Sequence, residues 1–405
     1  MTTPMTRKAG MLTGLCLLAP IILAVMGVVV LAPILPQLQQ AFKGTPHAEF
    51  LVPMILTTPA LCVTLFSWAA GALGDAFGRR RLLMGALVFY AIVGVAPAFL
   101  NDLRAILVTR VGVGLAEAML MTLSTALIGD VFEGPTRDRW LGSQTAVASL
   151  SALVLFNVGG FLGVYGWRAP FFVYASSVIM LLGVALFTWE PAPDARAKGA
   201  LHDDDEQKGG WELFPWAPML GVTAVTVFAS VMFYTVQIQA SVGLSLHGVT
   251  DPRRIGFLTS VASLAVPLGT IVFQFAARWR VATLLAIAFS LLATGFILMK
   301  WSSDANQFLI GAAVNQLGAG IVLPTVLTWA MRQLPYPVRG RGMGIWTGAF
   351  SLGQFISPIA ITLISARMGG LWGAFEALGF ACAIAGVAAL LGGFVKWRGD
   401  AVALV

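Results

Sequence analysis

The chain has 405 residues, of which 58% are hydrophobic and 11% charged, with a mean hydropathy of +0.86. So little polar surface cannot cover a soluble globule of this length, and the composition specifies a polytopic membrane protein. The net charge of +7 is dispersed as single basic residues and short clusters between apolar runs, which argues for anchoring at a membrane surface and against a nucleic-acid face.

A spanning helix takes roughly 20 apolar residues. Twelve such runs follow one another, at about 11–35, 50–73, 82–100, 106–127, 141–164, 171–189, 218–244, 255–277, 281–301, 308–331, 342–366 and 372–395. The first begins behind Arg7 and Lys8 as a signal peptide would, but it outlasts the ~7 to 15 residues of a cleavable core and is read as a retained span. Pro20, Pro59, Pro267 and Pro324 fall inside spans, where packed neighbours satisfy the freed carbonyls. Cys16, Cys62 and Cys382 all lie in apolar runs and suggest neither a disulfide framework nor metal-ligand spacing. No cofactor or metal is expected.

The one long polar stretch separates the sixth and seventh runs. It contains Pro191, Pro193, the acidic run Asp203-Asp204-Asp205-Glu206 and Gly209-Gly210, and it divides the chain into an N-terminal six-helix bundle (1–189), a linker (190–213) and a C-terminal six-helix bundle (214–405). The acidic run reads as a solvated loop, with a metal or partner site as the alternative. Lys and Arg alternate unevenly between the two sides. The side that holds the N-terminus, the linker and the C-terminus carries 17 of the 25, against 7 opposite, with Arg110 inside a span. Both termini and the linker are therefore expected to be cytoplasmic. A weak internal repeat supports two pseudo-symmetric halves: Pro135-x-Arg137-x-Arg139-x-x-Gly142 recurs as Pro337-x-Arg339-x-Arg341-x-x-Gly344, and Ser149-Leu150 as Ser351-Leu352, always at an offset of 202.

Between the second and third runs stands Gly71-Ala72-Leu73-Gly74-Asp75-Ala76-Phe77-Gly78-Arg79-Arg80-Arg81. This resembles the signature of the major facilitator superfamily, G-x-L-x-D-x-x-G-R-R-R, at every fixed position. The resemblance implies twelve helices in two six-helix bundles, a substrate site near mid-membrane between them, and a cytoplasmic loop that acts as hinge and gate. Gly71 is expected to admit a neighbouring helix, Gly78 to allow a positive φ, and Asp130, after the fourth span, to pair with the arginines at 79–81. The resemblance also places Asp75 near Gly342, at the start of the eleventh span, when that gate is closed.

Arg110 and Glu117 are the charged residues deep inside spans. Each such charge costs about 2.5 to 3.5 kcal/mol at the bilayer centre on insertion scales, so both should face a packed interior or an aqueous cavity. Seven residues is nearly two helical turns, which puts them on one face about 10 Å apart; a water-bridged pair is expected in preference to direct contact. Arg110 and Gly114 resemble the superfamily's R-x-x-x-G motif, which implies proton coupling. For Glu117 the argument is physical: burial favours the neutral carboxyl and Arg110 the charged one, which suits a proton carrier. A structural glutamate bonded to a neighbouring helix is the alternative. His47, His202 and His247 fall in loops and offer no competing carrier.

Drug:proton antiporters of the superfamily usually carry G-P-x-x-G-G in the fifth span, where this chain has Leu155-Phe156-Asn157-Val158-Gly159-Gly160. The glycine pair is present, and Gly159, Gly160 and Gly163 allow close helix packing. In the second half Tyr234, Gln237, Gln239, Asn315, Gln316 and Gln354, joined by Asn157 from the first, are the candidate lining of a mostly apolar cavity with a few placed polar groups; interhelical hydrogen bonding is the alternative for each. The expected function is proton-driven efflux of a hydrophobic, neutral or cationic small molecule across the inner membrane, by a monomer whose partners are substrate, protons and lipid. Proton-coupled import of a small metabolite is a second reading. A non-transporting receptor or intramembrane enzyme is a third, and no His/Asp or Ser/His cluster at catalytic spacing supports an enzyme.

Overall fold

The computed structural model describes residues 10–190, 211–335 and 338–392. Among them are twelve helices long and apolar enough to cross a membrane: α1 (Met11–Ala41), α2 (Ala48–Phe77), α3 (Arg79–Phe99), α4 (Leu103–Val131), α5 (Gly134–Gly163), α6 (Ala169–Phe187), α7 (Trp216–Leu246), α8 (Pro252–Ala276), α9 (Val281–Lys300), α10 (Ala305–Gln333), α11 (Arg339–Arg367) and α12 (Leu371–Gly392). Each predicted apolar run coincides with one of them, overrunning its end by at most two described residues, and the chain is an all-α multi-pass membrane protein. The acidic run, His202 and Pro337 lie outside the described residues.

Deviations from plain helix have local causes. The regular part of α1 ends at Val29, passes through a 3-10 turn at Ala32–Ile34 and resumes at Leu35–Ala41. Pro33 and Pro36 are each the second residue of one of these segments, in the first turn, where a missing N–H leaves no bond unmade; the helix thus runs six residues past the predicted end of its apolar run at residue 35. α8 is interrupted at Leu264, just ahead of Pro267. Asp102, Asp251 and Asp304 cap α4, α8 and α10, their carboxylates accepting backbone N–H bonds of 2.8–3.0 Å from Ala105, Arg253, and Asn306 with Gln307. Such a cap contributes about 1 kcal/mol, and all three lie at the end of the bundle opposite the 71–81 motif.

The buried core falls into two main clusters, one built from α1–α6 with Ile238, the other from α7–α12. The two sets of helices meet tightly at the end away from the motif. There a Cβ on Gly160 of α5 would lie 2.5 Å from the Pro252 carbonyl and 3.1 Å from the Gly256 Cα of α8, and Gly163 packs on Ile34 and Pro252. Thr362 of α11 donates to the Glu49 carbonyl of α2 at 3.4 Å, and nearer the middle Thr64 donates to the Gly348 carbonyl at 3.2 Å. Toward the motif end the helices part: Trp68 and Phe77 of α2 are 78% and 66% exposed, and no atom of the described residues lies within 4 Å of the Cβ positions of Gly142 or Gly344. The result is a cleft between the two helix sets that opens at the motif end.

Candidate functional site

The motif forms a one-residue turn. α2 runs to Phe77, Gly78 has φ 93°, a region that favours glycine, and α3 begins at Arg79. Arg79 then bridges two carboxylates, with Nη2 2.8 Å from Asp75 Oδ1 and Nη1 2.8 Å from Asp130 Oδ1. Arg80 ties down the end of α6, donating from its backbone N to Glu190 Oε2 (3.1 Å), from Nε to Thr188 Oγ1 (3.2 Å) and from Nη2 to the Ala185 carbonyl (2.8 Å). Arg81 is exposed and Leu73 41% exposed. One glycine assignment is corrected: a Cβ on Gly71 would make only ordinary contact with Thr122, at 3.7 Å, whereas Gly74 is the position where a side chain would collide with Leu123 of α4. The helix rotation, not the motif spacing, decides which glycine faces the neighbour. Asp75 pairs with Arg79, and Gly342 packs on Leu334.

Deeper in, Arg110 is fully buried and turned toward α3 and α6. Its Nη1 donates to the Tyr174 hydroxyl at 2.8 Å and Nη2 to the Gly94 carbonyl at 3.4 Å, while its guanidinium carbon lies 4.7 Å from the Tyr174 ring centroid and 5.4 Å from that of Phe171. Tyr90 packs on Tyr174 with ring centroids 5.3 Å apart and planes tilted by 32°, and it donates to the Leu23 carbonyl at 2.8 Å. Gly114, one turn on, packs against the Pro59 backbone of α2 with its Cβ position 2.6 Å from Pro59 Cα.

Glu117 stands at the midpoint of α4, 14 residues from each end. It is 4% exposed, and its Oε1 is buried with no hydrogen-bond partner among the described residues. Oε1 lies 3.0 Å from the point where a side chain on Gly27 of α1 would begin. No ion pair joins it to Arg110 among the described residues. A desolvated carboxyl with an unpaired oxygen is costly as an anion and inexpensive as an acid, so its charge follows the access of water to this point.

The second helix set presents aromatic and amide groups to the same region. Tyr234 packs on Phe350 at 5.5 Å, Trp346 stacks on Phe350 at 5.9 Å and 9°, and Gln237 Nε2 donates to Gln316 Oε1 at 2.9 Å. Gln237 Oε1, Gln316 Nε2 and Trp346 Nε1 are buried with no hydrogen-bond partner among the described residues, one acceptor and two donors. Gln354 is half-buried one turn beyond Phe350.

Three predicted lining residues belong elsewhere. Asn315 is fully buried between α9 and α10, donating to the Leu292 carbonyl at 3.1 Å. Gln239 is buried about 200° around α7 from Gln237, since two residues turn a helix that far. Asn157 is exposed beside Val154 and Phe161, donating to the Leu153 carbonyl at 2.8 Å, on the side of α5 opposite Gly159, which abuts the Val30 backbone. Tyr90, Tyr174 and Gly27 were not singled out as members of this constellation. Only the scarcity of tyrosine, five in the chain, could have drawn attention to the first two.

Residues 17–250 and 219–401 match the family model described as Major Facilitator Superfamily. Two relatives cover most of the chain: the tetracycline resistance protein, class B, of Escherichia coli, 21% identical over 87% of this chain and 88% of its own, and the multidrug resistance protein Stp of Mycobacterium tuberculosis, 23% identical over 80% and 70%. Among solved structures a D-xylose-proton symporter superposes with a TM-score of 0.75 at 14% identity, covering 95% of this chain and 97% of its own.

Proposed function

The chain belongs to the Major Facilitator Superfamily and is a membrane transporter; from that premise we propose that it is a proton-coupled exporter of hydrophobic, neutral or cationic small molecules, working as a monomer by alternating access. The observation that carries the reading is Glu117, a carboxyl buried at mid-span whose Oε1 has no hydrogen-bond partner among the described residues. Such a group takes up a proton when the cleft is dry or holds a neutral occupant and releases it when water or a cation enters. The relatives' names, tetracycline and multidrug resistance, support export and an apolar substrate. With both termini cytoplasmic, as the Lys and Arg asymmetry argues, the cleft opens inward and the Gly160–Gly256 contact seals the outer side. Residues 1–189 and 214–405 then act as the two rocking halves, joined by the linker at 190–213, in the inner membrane.

Import remains the second reading because Leu155 and Phe156 stand where the antiporter branch usually has Gly-Pro. One experiment separates the two. Inverted membrane vesicles carrying the protein are given a labelled compound panel with and without an imposed pH gradient: accumulation driven by the gradient supports export, and gradient-driven loss supports import and overturns the proposal.

A further inference from the structure

The two helix sets differ in one place that alternating access does not use. In the first set α6 closes on α1: Thr13 Oγ1 donates to the Phe187 carbonyl at 3.0 Å, and the Cys16 sulfur lies 3.0 Å from the Cβ position of Gly183. In the second set the corresponding helices α7 and α12 stand apart, and a cavity of about 520 Å³ lies between α7, α9, α10 and α12 at the motif end. Small residues on α12, Ala381, Ala385 and Ala388 among them, leave the space open. Phe228 and Phe289, with ring centroids 5.5 Å apart, close its deep end. Ala224 of α7 and Ile384 and Ala388 of α12 line it and are exposed, so it opens sideways, toward the bilayer and away from the central cleft.

Its dimensions and charge suit one occupant. From Ala381 to Gly392 the α12 wall spans about 16 Å at 1.5 Å per residue, close to the ~15 Å of hydrocarbon in one leaflet. The mouth carries Arg332, and Arg280 directly precedes the lining residue Val281. Arg278, Arg280 and Arg332 are all exposed at this end of the second set, where Glu212 is the acidic residue among the described ones. Trp216 and Trp279, 58% and 49% exposed, mark the level at which headgroups meet hydrocarbon. We propose that this cavity is a lipid site, taking one acyl chain of an anionic glycerophospholipid from the adjoining leaflet and setting its phosphate at Arg332.

The test uses the purified, delipidated full chain, to which phosphatidylglycerol or phosphatidylcholine is added at equal concentration before native mass spectrometry. The wild type should retain phosphatidylglycerol in preference. Arg332→Gln should lower that retention by about fivefold, the factor one basic residue contributes near an anionic surface, and leave phosphatidylcholine unchanged. Ala385→Phe should abolish it by filling the cavity. Ala388→Leu, a smaller filling change, decides the matter if size exclusion shows Ala385→Phe misfolded. Equal retention of the two lipids by the wild type, or undiminished phosphatidylglycerol in a folded filling variant, overturns the proposal. Unchanged lipid retention together with lost ethidium transport would assign the cavity to small-molecule passage and overturn it equally.

Discussion

Arg110 and Tyr174 are held together twice over, by a 2.8 Å hydrogen bond from Nη1 to the phenol oxygen and by the guanidinium lying 4.7 Å from the same ring's centroid. The tyrosine, not Glu117, is thus the partner that makes a buried arginine tolerable on α4. Tyr174→Phe keeps the ring and removes the acceptor, which leaves a buried charged donor unpaired at a cost of about 1 to 3 kcal/mol or more. Thermal unfolding in detergent should show a loss of that order for Tyr174→Phe, and a larger one for Tyr174→Leu, which also removes the ring 4.7 Å from the guanidinium carbon. An unchanged melting temperature for Tyr174→Phe would mean that stacking, and not the hydrogen bond, retains Arg110.

The bridge from Arg79 to Asp75 and Asp130 is asymmetric. The Asp130 side chain is 5% exposed and the Asp75 side chain 61%. Asp130→Asn should consequently destabilise the fold, whereas Asp75→Asn should act mainly on the gate, because an exposed pair contributes ~0 to 1 kcal/mol. When the motif end closes, Asp75 is expected to meet the positive N-terminal end of α11, an interaction of about 0.3 to 2 kcal/mol. Its loss should shift the population toward the state seen here by up to roughly tenfold. Labelling of a cysteine placed at the open position Gly344 reads that shift, and equal labelling rates in the wild type and Asp75→Asn background would refute it.

Gly160 and Gly256 bring α5 and α8 into backbone contact at the far end, with the Gly160 Cβ position 3.1 Å from Gly256 Cα. A valine at 256 cannot be accommodated without moving one helix set off the other, since the obstacle is backbone. Gly256→Val is expected to open the far end and close the motif end, so the same Gly344→Cys reporter should become less reactive. Increased reactivity would show that the contact does not act as the far-end seal.

The twelve helices were legible because a span must be apolar over about 20 residues whatever it packs against. Arg110 and Glu117 were legible for the converse reason, that a charge at that depth is too costly to be incidental. Neutral amides carry no such signal. Asn315 and Gln316 are adjacent in sequence, yet one donates to the Leu292 carbonyl and the other accepts from Gln237, a difference set by helix rotation and by the neighbours each face meets. Gly71 and Gly74 exchange duties for the same reason. The tyrosine beneath Arg110 lies in the 3-10 stretch Ala169–Ser176, where neither the 3.6-residue period nor any spacing from Arg110 marks it.

Glu117 is where proton and substrate are expected to compete, and Gly27 governs the space around its free oxygen. Glu117→Gln keeps shape and hydrogen-bonding capacity and removes the titration, so substrate binding and exchange should persist in proteoliposomes while acceleration by a pH gradient is lost. Gly27→Ala retains the carboxyl but places a methyl 3.0 Å from Oε1, so the side chain must shift and the space around its free oxygen shrinks. Transport should then need a steeper gradient, with exchange in the absence of a gradient affected less. Arg110→Ala removes the nearby cation that favours the ionised carboxyl, and turnover should fall as the proton is held more tightly. A Glu117→Gln protein that still responds to the gradient as the wild type does would move the carrier to another acid. Asp75 and Asp130 are the next to test, and Gly27→Ala would then be a packing variant alone.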